Sequence, residues 1–189
     1  IPRLLKSISW INLGGGYLFN DADNRDLYEA IRLLREKYNL NVFIEPGQGV
    51  IEGTGYIVSS VIDIFESDGR HISVLDTTVN HMPEVFEYQY RPDISQESSN
   101  GKYEYILAGT TCLAGDIFGT YNFDKPLELG TRIVFEYMGA YTLVKAHMFN
   151  GVNLPSIYAL TQDGKLELKK QFGYEDFLTR CGVTKNVPV

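Results

Sequence analysis

Apolar positions in the first fifty residues follow the pattern of a strand, a helix and a second strand. Residues 8–13 are predicted to form a buried strand that leads into three consecutive glycines, Gly14, Gly15 and Gly16. Apolar side chains then recur at steps of four and three residues, as expected for an amphipathic helix: Leu27, Ile31, Leu34 and Tyr38. A second short strand is predicted at 41–44. This order of elements predicts a right-handed crossover between two parallel strands.

Polar and glycine-rich segments mark the ends of these elements. Residues 21–24 offer side chains that can cap a helix N-terminus, and Asn39 is expected to end the helix. The second strand is followed by a rigid turn of Glu45, Pro46 and Gly47. This turn and the three glycines both follow the carboxyl ends of neighbouring strands, which is the edge where α/β folds bind ligands.

Two α/β folds are compatible with this segment. A dinucleotide-binding fold requires the pattern Gly-x-Gly-x-x-Gly with a helix starting inside it, but Phe19 stands at the third glycine position and the predicted helix starts after Asp23. The last two strands of a (β/α)8 barrel fit better, because loops after the final barrel strands typically bind phosphate. A triple-glycine turn leaves backbone N–H groups open to such an anion. We therefore predict that residues 1–52 are the end of a (β/α)8 barrel.

Beyond residue 52 the helical spacing gives way to a series of β runs. Hairpins are predicted at 56–65 with 71–75, at 131–137 with 140–148, and at 156–160 with 165–169. A polar insertion is predicted at 92–101 and a closing short helix at 175–180. This pattern predicts a C-terminal β-sandwich or β-barrel domain over residues 53–189, so that the fold class is α/β plus β.

A candidate site for chemistry is the loop at 109–116, which joins predicted strands at 103–107 and 117–121. Its thiol, Cys112, lies between Gly109 and Gly115, whose permissive backbone would allow the loop to present the side chain outward. The alternative is a cysteine of the hydrophobic core, because free cysteines are among the most buried residues. From this loop alone the core interpretation is the default.

Composition narrows the functional classes. The chain has 189 residues and is 44% apolar, which suits one globular domain or parts of two. A net charge of −7 without a Lys/Arg cluster argues against nucleic-acid or anionic-membrane partners and favours a small cationic substrate. Because Cys112 and Cys181 lie far apart and no secretory leader or long apolar span is evident, we expect a reducing cytoplasm. The three histidines, His71, His81 and His147, lack metal-ligand spacing, so we interpret them as structural and predict no metal site.

Several short motifs occur in a definite order along the chain. The three glycines are followed by Glu45-Pro46-Gly47, by the cysteine loop, by residues 139–142 and by Phe149-Asn150-Gly151. This order resembles the fold-type III pyridoxal-phosphate decarboxylases, which include the ornithine, diaminopimelate and arginine decarboxylases. Within that family, the segments 81–83, 112–116, 141–145 and 148–151 look most like the carboxynorspermidine and carboxyspermidine decarboxylases. The resemblance covers the whole chain.

The resemblance implies a set of contacts to pyridoxal 5'-phosphate. Backbone N–H groups of Gly14, Gly15, Gly16 and Gly47 would bind the phosphate of the cofactor. Glu45 would face the pyridine nitrogen and keep it protonated, so that the ring can act as an electron sink; the alternative is a solvated residue at a strand end. Tyr141 would donate its hydroxyl to the phosphate; the alternative is an ordinary strand aromatic.

The same resemblance gives Cys112 and Asp116 roles in catalysis. Cys112 would reach across a homodimer interface and protonate the substrate carbon after carbon dioxide has left. A thiol is mostly protonated at neutral pH, as a general acid must be. Asp116 would either position the ammonium groups of a carboxylated polyamine or cap the turn of the loop.

The sequence departs from the broader family pattern at three points. Leu113 stands where ornithine and diaminopimelate enzymes carry an acidic residue, which fits a longer polyamine substrate, carboxynorspermidine or carboxyspermidine. Gln48 stands where ornithine-type enzymes often have an arginine that binds phosphate. No lysine here lies in a motif matching the one that binds the cofactor covalently, so we expect this chain to be a C-terminal half that needs an N-terminal half.

Two alternatives of other classes remain at this point. One is a decarboxylase-like protein without catalytic activity that binds a partner protein in place of the cofactor. The other is a nucleotide-binding α/β domain. Cofactor binding distinguishes them, because only the decarboxylase half needs both its complement and pyridoxal phosphate.

Overall fold

The computed structural model describes residues 2–19 and 23–183, which divide after Thr54 into two compact units. The first unit contains α1 (Pro2–Leu5), β1 (Trp10–Asn12), α2 (Arg25–Tyr38), β2 (Asn41–Phe43), α3 (Gly47–Ile51) and a 3-10 turn (Glu52–Thr54). The strands of the second unit are β3 (Ile57–Ser67), β4 (Arg70–Leu75), β5 (Tyr103–Ala108), β6 (Ile117–Phe123), β7 (Arg132–Phe135), β8 (Ile157–Leu160) and β9 (Leu166–Lys170). Its helices are α4 (Pro83–Tyr88) and α5 (Tyr174–Arg180), with 3-10 turns at Val79–His81 and Phe149–Gly151.

The first unit has the predicted strand, helix and strand. β1 and β2 pair in parallel, with Ile11 opposite Val42, and α2 ends at Asn39 in the left-handed conformation. Residues 21 and 22 of the predicted cap lie outside the described residues. The prediction that β1 is buried is wrong: Trp10 is 58% exposed and its ring meets only the edge of Phe43. These two strands have no third strand beside them in the described part of the unit, so their outer edges stay unpaired there.

The second unit is built on one mixed sheet of five strands in the order β6-β5-β4-β3-β7. Only β4 and β5 run parallel; the other neighbours are antiparallel. The predicted first and third hairpins are confirmed as β3–β4 and β8–β9. Asp68 and Gly69 join β3 to β4, both with positive φ, which is the backbone that a tight two-residue hairpin requires.

The predicted hairpin of 131–137 with 140–148 is wrong. β7 pairs with β3 instead, and residues 140–148 form turns and irregular backbone. The reason lies in the backbone: Tyr137 and Tyr141 both have positive φ, at 58° and 55°, which interrupts an extended chain. The prediction of two strands came from aromatic and aliphatic content alone.

The hydrophobic core lies on one face of the five-stranded sheet. Inward side chains of the strands pack against the 3-10 turn Val79–His81 and α4. Among the most fully buried members are Leu75, Val79, Met82, Leu107, Phe118, Tyr121, Ile133 and Phe135. Rings of Phe118 and Phe135 lie 4.8 Å apart between centroids. The segment between β4 and β5 therefore lies across this face of the sheet and forms part of the core.

The predicted polar insertion at 92–101 contributes to the sheet. Ser95 and Asp93 exchange backbone hydrogen bonds with β7, and Ser98 N–H donates to the carbonyl of Asn122 on β6. Arg91 donates to the carbonyl of Thr120 on β6, and its guanidinium lies over the Tyr121 ring. Because these residues bond to both edge strands, they bridge the two edges of the open sheet. Besides the five-stranded sheet, the described residues of the second unit form a two-stranded sheet of β8 and β9.

His81, in the 3-10 turn that packs against the core, is buried with 1% exposure. Its Nδ1 shares a hydrogen bond of 2.9 Å with Thr77 Oγ1. Burial lowers the pKa of His81 from 6.5 to about 4; a backbone hydrogen bond with Val152 and the charges of Asp116 and Asp76 oppose this shift, and His147 adds to it. The prediction that His81 is structural agrees with this burial.

We expect the stability of the second unit to fall as the pH is lowered through His81. Because the folded pKa is below the unfolded one, the stabilising contribution is present above pH 6.5 and is lost towards pH 4. The shift corresponds to at most roughly 3 kcal/mol. Urea unfolding followed by circular dichroism should show this slope in the wild type.

The same measurement on His81→Gln should show a flatter dependence on pH in this window. His71→Gln is the matched control, since His71 is exposed, and it should keep the wild-type slope. Equal slopes for the wild type and His81→Gln would show that His81 does not control acid stability.

Candidate functional site

The triple-glycine turn of the first unit is fastened to the turn that follows β2. Glu45 N–H donates to the Gly14 carbonyl at 2.8 Å, and a Cβ on Gly15 would lie 2.7 Å from the Glu45 carbonyl oxygen. Gly14 and Gly16 have φ of 77° and 86°. A side chain at any of the three positions would therefore be strained or would clash.

The backbone donors of this turn are unequally available. Gly14 N–H already donates to Asn12 Oδ1 at 2.8 Å, and Gly47 N–H donates to the Glu45 carbonyl at 2.9 Å. Within the described residues, the N–H groups of Gly15 and Gly16 make no hydrogen bond. An anion approaching the turn would first meet these two donors. The phosphate contacts predicted for Gly14 and Gly47 stay predictions.

Asn12 is a site residue that the sequence analysis missed. Its Nδ2 donates to Glu45 Oε1 at 2.6 Å, while its Oδ1 accepts from Gly14. The carboxylate of Glu45 is thus held beside the glycine turn by one side chain that also shapes that turn. The available signal was an asparagine two residues before a glycine, which is the spacing of an Asx turn.

The nucleotide-binding alternative does not fit this geometry. A dinucleotide fold places the phosphate on the N-terminus of the helix that opens within the glycine pattern. Here α2 begins at Arg25, well after Gly16. A short helix, α3, instead begins at Gly47, where the sequence analysis predicted only a turn.

In the second unit, Cys112 lies at the tip of the loop between β5 and β6. Its side chain is exposed and in the free thiol form, so the core-cysteine interpretation is wrong. Cys181 is also free and exposed. The neighbouring Leu113 explains the difference, since it is this residue that packs against the core and leaves the thiol outward.

Asp116 fixes the base of this loop. Its side chain is 5% exposed; Oδ1 accepts from Val79 N–H at 2.8 Å, and Oδ2 accepts from the N–H and hydroxyl of Thr111. A Cβ on Gly109 would overlap the Asp116 carboxylate, so only glycine leaves room for it. These contacts support the capping role of Asp116. The role of Asp116 in binding substrate stays a prediction.

The other predicted site residue of the second unit is Tyr141. It is 48% exposed and has positive φ in a turn, not in a strand, so the interpretation as a strand aromatic is wrong. Strained backbone of this kind at a non-glycine residue is often found at functional sites. Asn150, which the sequence analysis treated only as part of a motif, also has positive φ, and its Oδ1 accepts from the Cys112 backbone.

The structure thus groups the predicted residues within each unit. The first unit brings together Gly14–Gly16, Glu45 and Gly47, and the second brings together Cys112 and Asp116. Within the described residues, no group of three or more His, Cys, Asp or Glu side chains is arranged to hold a metal ion. Across the same residues, no helix has the length and apolar character needed to cross a bilayer.

Sequence comparison links both units to known enzymes. The model of the family described as pyridoxal-dependent decarboxylase, C-terminal sheet domain, matches residues 37–139. A carboxyaminopropylagmatine decarboxylase from Synechocystis is 40% identical over 185 residues, covering 94% of this chain and 48% of the relative. A carboxynorspermidine/carboxyspermidine decarboxylase from Campylobacter jejuni is 34% identical, covering 94% and 50%. The chain spans about half the length of these relatives.

Comparison with solved structures also finds decarboxylases. The carboxynorspermidine decarboxylase of Campylobacter jejuni, solved with norspermidine, superposes with a TM-score of 0.82 at 33% identity, covering 95% of this chain and 53% of that one. A diaminopimelate decarboxylase from Methanocaldococcus jannaschii gives a TM-score of 0.76 at 25% identity, covering 96% and 44%. The resemblance predicted from the ordered motifs is therefore confirmed. The chain belongs to the pyridoxal-dependent decarboxylases and carries their C-terminal sheet domain.

Proposed function

We propose that this chain is the C-terminal half of a pyridoxal-phosphate-dependent enzyme that decarboxylates carboxynorspermidine or carboxyspermidine to norspermidine or spermidine. The observation that carries the proposal is the exposed thiol of Cys112 at the tip of a loop fixed at its base. A relative 34% identical to the chain bears the name of these substrates. A relative that is 40% identical bears the name carboxyaminopropylagmatine, which makes that compound the second candidate substrate.

The residues of the first unit fit the cofactor. The N–H groups of Gly15 and Gly16, which make no hydrogen bond to the part of the chain that the structure describes, suit a phosphate, and the space that a Cβ on Gly14 or Gly16 would enter is open to 4 Å among the same residues. Glu45 supplies an oriented carboxylate for the pyridine nitrogen. Tyr141, which is 48% exposed in the second unit, would add a phosphate contact. When bound, pyridoxal phosphate supplies an electron-withdrawing ring that stabilises the charge left by departing carbon dioxide.

The protein side chains then have two tasks. Glu45 holds a proton on the ring nitrogen, and Asn12 keeps its carboxylate in place. Cys112 gives its proton to the substrate carbon that has lost its carboxylate; the C–C bond electrons form the new C–H bond, and the thiolate takes a proton back from water. Asp116 would meet a substrate ammonium group only through its remaining 5% of exposed surface, while it holds the loop.

Two partners are part of the proposal. The first is an N-terminal half that carries the remaining barrel strands and the lysine that binds the cofactor. In this chain, Lys145 forms ion pairs with Glu84 and Glu87. The second is another copy of the enzyme, with Cys112 acting in the active site of its homodimer partner. Two exposed free thiols suit the reducing cytoplasm that we propose as the location.

We expect this chain to be inactive alone and active when mixed with the N-terminal half of a relative. Borohydride reduction of the active mixture should attach the pyridoxyl mass to the N-terminal half, because that half supplies the lysine. Intact mass of each chain after reduction is the measurement. Activity of this chain by itself, or pyridoxyl mass on it, would disprove the half-enzyme proposal; a complex that forms without binding cofactor would support the non-catalytic alternative. Rates with carboxynorspermidine, carboxyspermidine and carboxyaminopropylagmatine decide between the candidate substrates.

Cys112→Ala in the completed enzyme should slow turnover by about 10²–10⁴-fold, the usual contribution of a general acid. Cofactor affinity should change much less, because the thiol is needed only after carbon dioxide has left. Steady-state kinetics and cofactor titration measure the two effects, with Cys181→Ala as the matched control at the other exposed thiol. A loss below about threefold would remove Cys112 from the mechanism.

Glu45→Gln should lower kcat because a neutral amide cannot keep a proton on the ring nitrogen. The amide oxygen can still accept from Asn12, so the variant isolates the charge of the carboxylate from its position. The check is kcat together with the absorbance spectrum of bound cofactor. If kcat equals that of the wild type, the carboxylate does not face the ring.

A further inference from the structure

The thiol of Cys112 contacts a residue that lies outside its own loop. Asn150 Oδ1 accepts from the Cys112 backbone N–H at 3.3 Å and lies 3.4 Å from the Cys112 sulfur, which donates to it. One amide oxygen thus contacts both the backbone and the side chain of the same residue. These two hydrogen bonds fix the position of the loop tip and the direction of the S–H bond.

Asn150 is itself in a demanding backbone conformation. Its φ of 57° is left-handed, and the following Gly151 has φ of 72°. Asparagine tolerates this region better than other residues with a Cβ, apart from aspartate. Met148, two residues before Asn150, is buried with 8% exposure and anchors the start of this turn to the domain.

The segments that carry Cys112 and Asn150 are fastened to the same support. Asp116 joins the cysteine loop to Val79 N–H at 2.8 Å, and His147 N–H donates to the Asn80 carbonyl at 3.1 Å. Val79 and Asn80 are both buried in the 3-10 turn. Because the two segments share one rigid anchor, the separation between Asn150 and the thiol is set by the core of the domain.

We propose that Asn150 is the positioning residue for Cys112, holding its S–H in the direction from which it protonates the substrate carbon. The role of the proton rests on the proposed function, whereas the hold on the thiol does not. A misdirected donor loses much of its effect, since small displacements of a reacting group can cost up to 10²-fold in rate. Asn150 acts through Cys112 and needs no contact with substrate.

Two variants separate the side chain of Asn150 from its backbone. Asn150→Gly keeps the left-handed conformation without strain and removes the acceptor. Asn150→Asp keeps an acceptor of the same shape and tolerates the same conformation. Thermal unfolding checks that both variants fold as the wild type does.

The first measurement is the alkylation of the full chain by iodoacetamide, followed by peptide mass spectrometry. Cys181, exposed and free, is the internal reference. Asn150→Gly should raise the rate at Cys112 relative to Cys181 several-fold because the thiol is released. Asn150→Asp should not raise it, because the acceptor remains and its negative charge opposes the thiolate. Equal ratios in the wild type and in Asn150→Gly would overturn the proposal.

The second measurement is kinetics in the enzyme completed by an N-terminal half. Asn150→Gly should lower kcat by about tenfold or more with little change in KM, and Asn150→Asp should recover part of that loss. A purely backbone role predicts the opposite order, with glycine active and no benefit from aspartate, and that order would also overturn the proposal. If the wild type does not decarboxylate any substrate, the proposed function fails, while the alkylation ratios still decide whether Asn150 holds the thiol.

Discussion

The burial of the segment between β4 and α4 is the constraint on which the second unit depends. This segment crosses one face of the sheet, where Val79 and Met82 join the core, and its backbone groups remain available at the edge of that core. Thr77 accepts from the N–H of Thr110, Val79 donates to Asp116, and Asn80 accepts from the segment before Asn150. These three hydrogen bonds therefore attach the cysteine loop and the segment before Asn150 to backbone that hydrophobic packing has already immobilised. Functional geometry in this domain is set by apolar burial, and the polar contacts transmit it.

The sheet solves the problem of its edges without adding strands. Exposed edges offer unpaired N–H and C=O groups to other chains. Here one irregular segment, residues 91–98, satisfies groups on both β6 and β7. Gly119 allows this, because a Cβ there would overlap the aliphatic part of Arg91. A sequence that reads as a polar loop thus acts as the closing element of the sheet.

Local sequence signals predicted the parts of the fold that depend on local physics. The parallel pair in the first unit and two of the three hairpins follow from apolar spacing and from turn residues such as Asp68 and Gly69. The failed hairpin at 140–148 has strand-like composition, but composition does not encode the positive φ at Tyr137 and Tyr141 that interrupts an extended chain. The buried state predicted for β1 failed for a related reason, since burial depends on neighbours outside the local window.

The candidate site divides in the same way. Ordered motifs identified the glycine turn, Glu45 and the cysteine loop, because each is a continuous stretch of sequence. Asn12 and Asn150 were missed as individual contributors, because each acts through a partner 33 or 38 residues away in the chain. For Cys112, residue statistics favoured the core, and the structure places Leu113 there instead. One-residue choices of this kind depend on loop register, which a single sequence leaves open.

The loop that carries Cys112 has a consequence for the order in which a complete enzyme would be assembled. All its fastenings, from Asp116 at the base to Asn150 at the tip, belong to one compact unit. The position of the Cys112 thiol is consequently set by contacts within that unit. Under the proposed function, evolution could change the partner polypeptides and the substrate while the unit that carries the proton donor stays the same, as an interchangeable component.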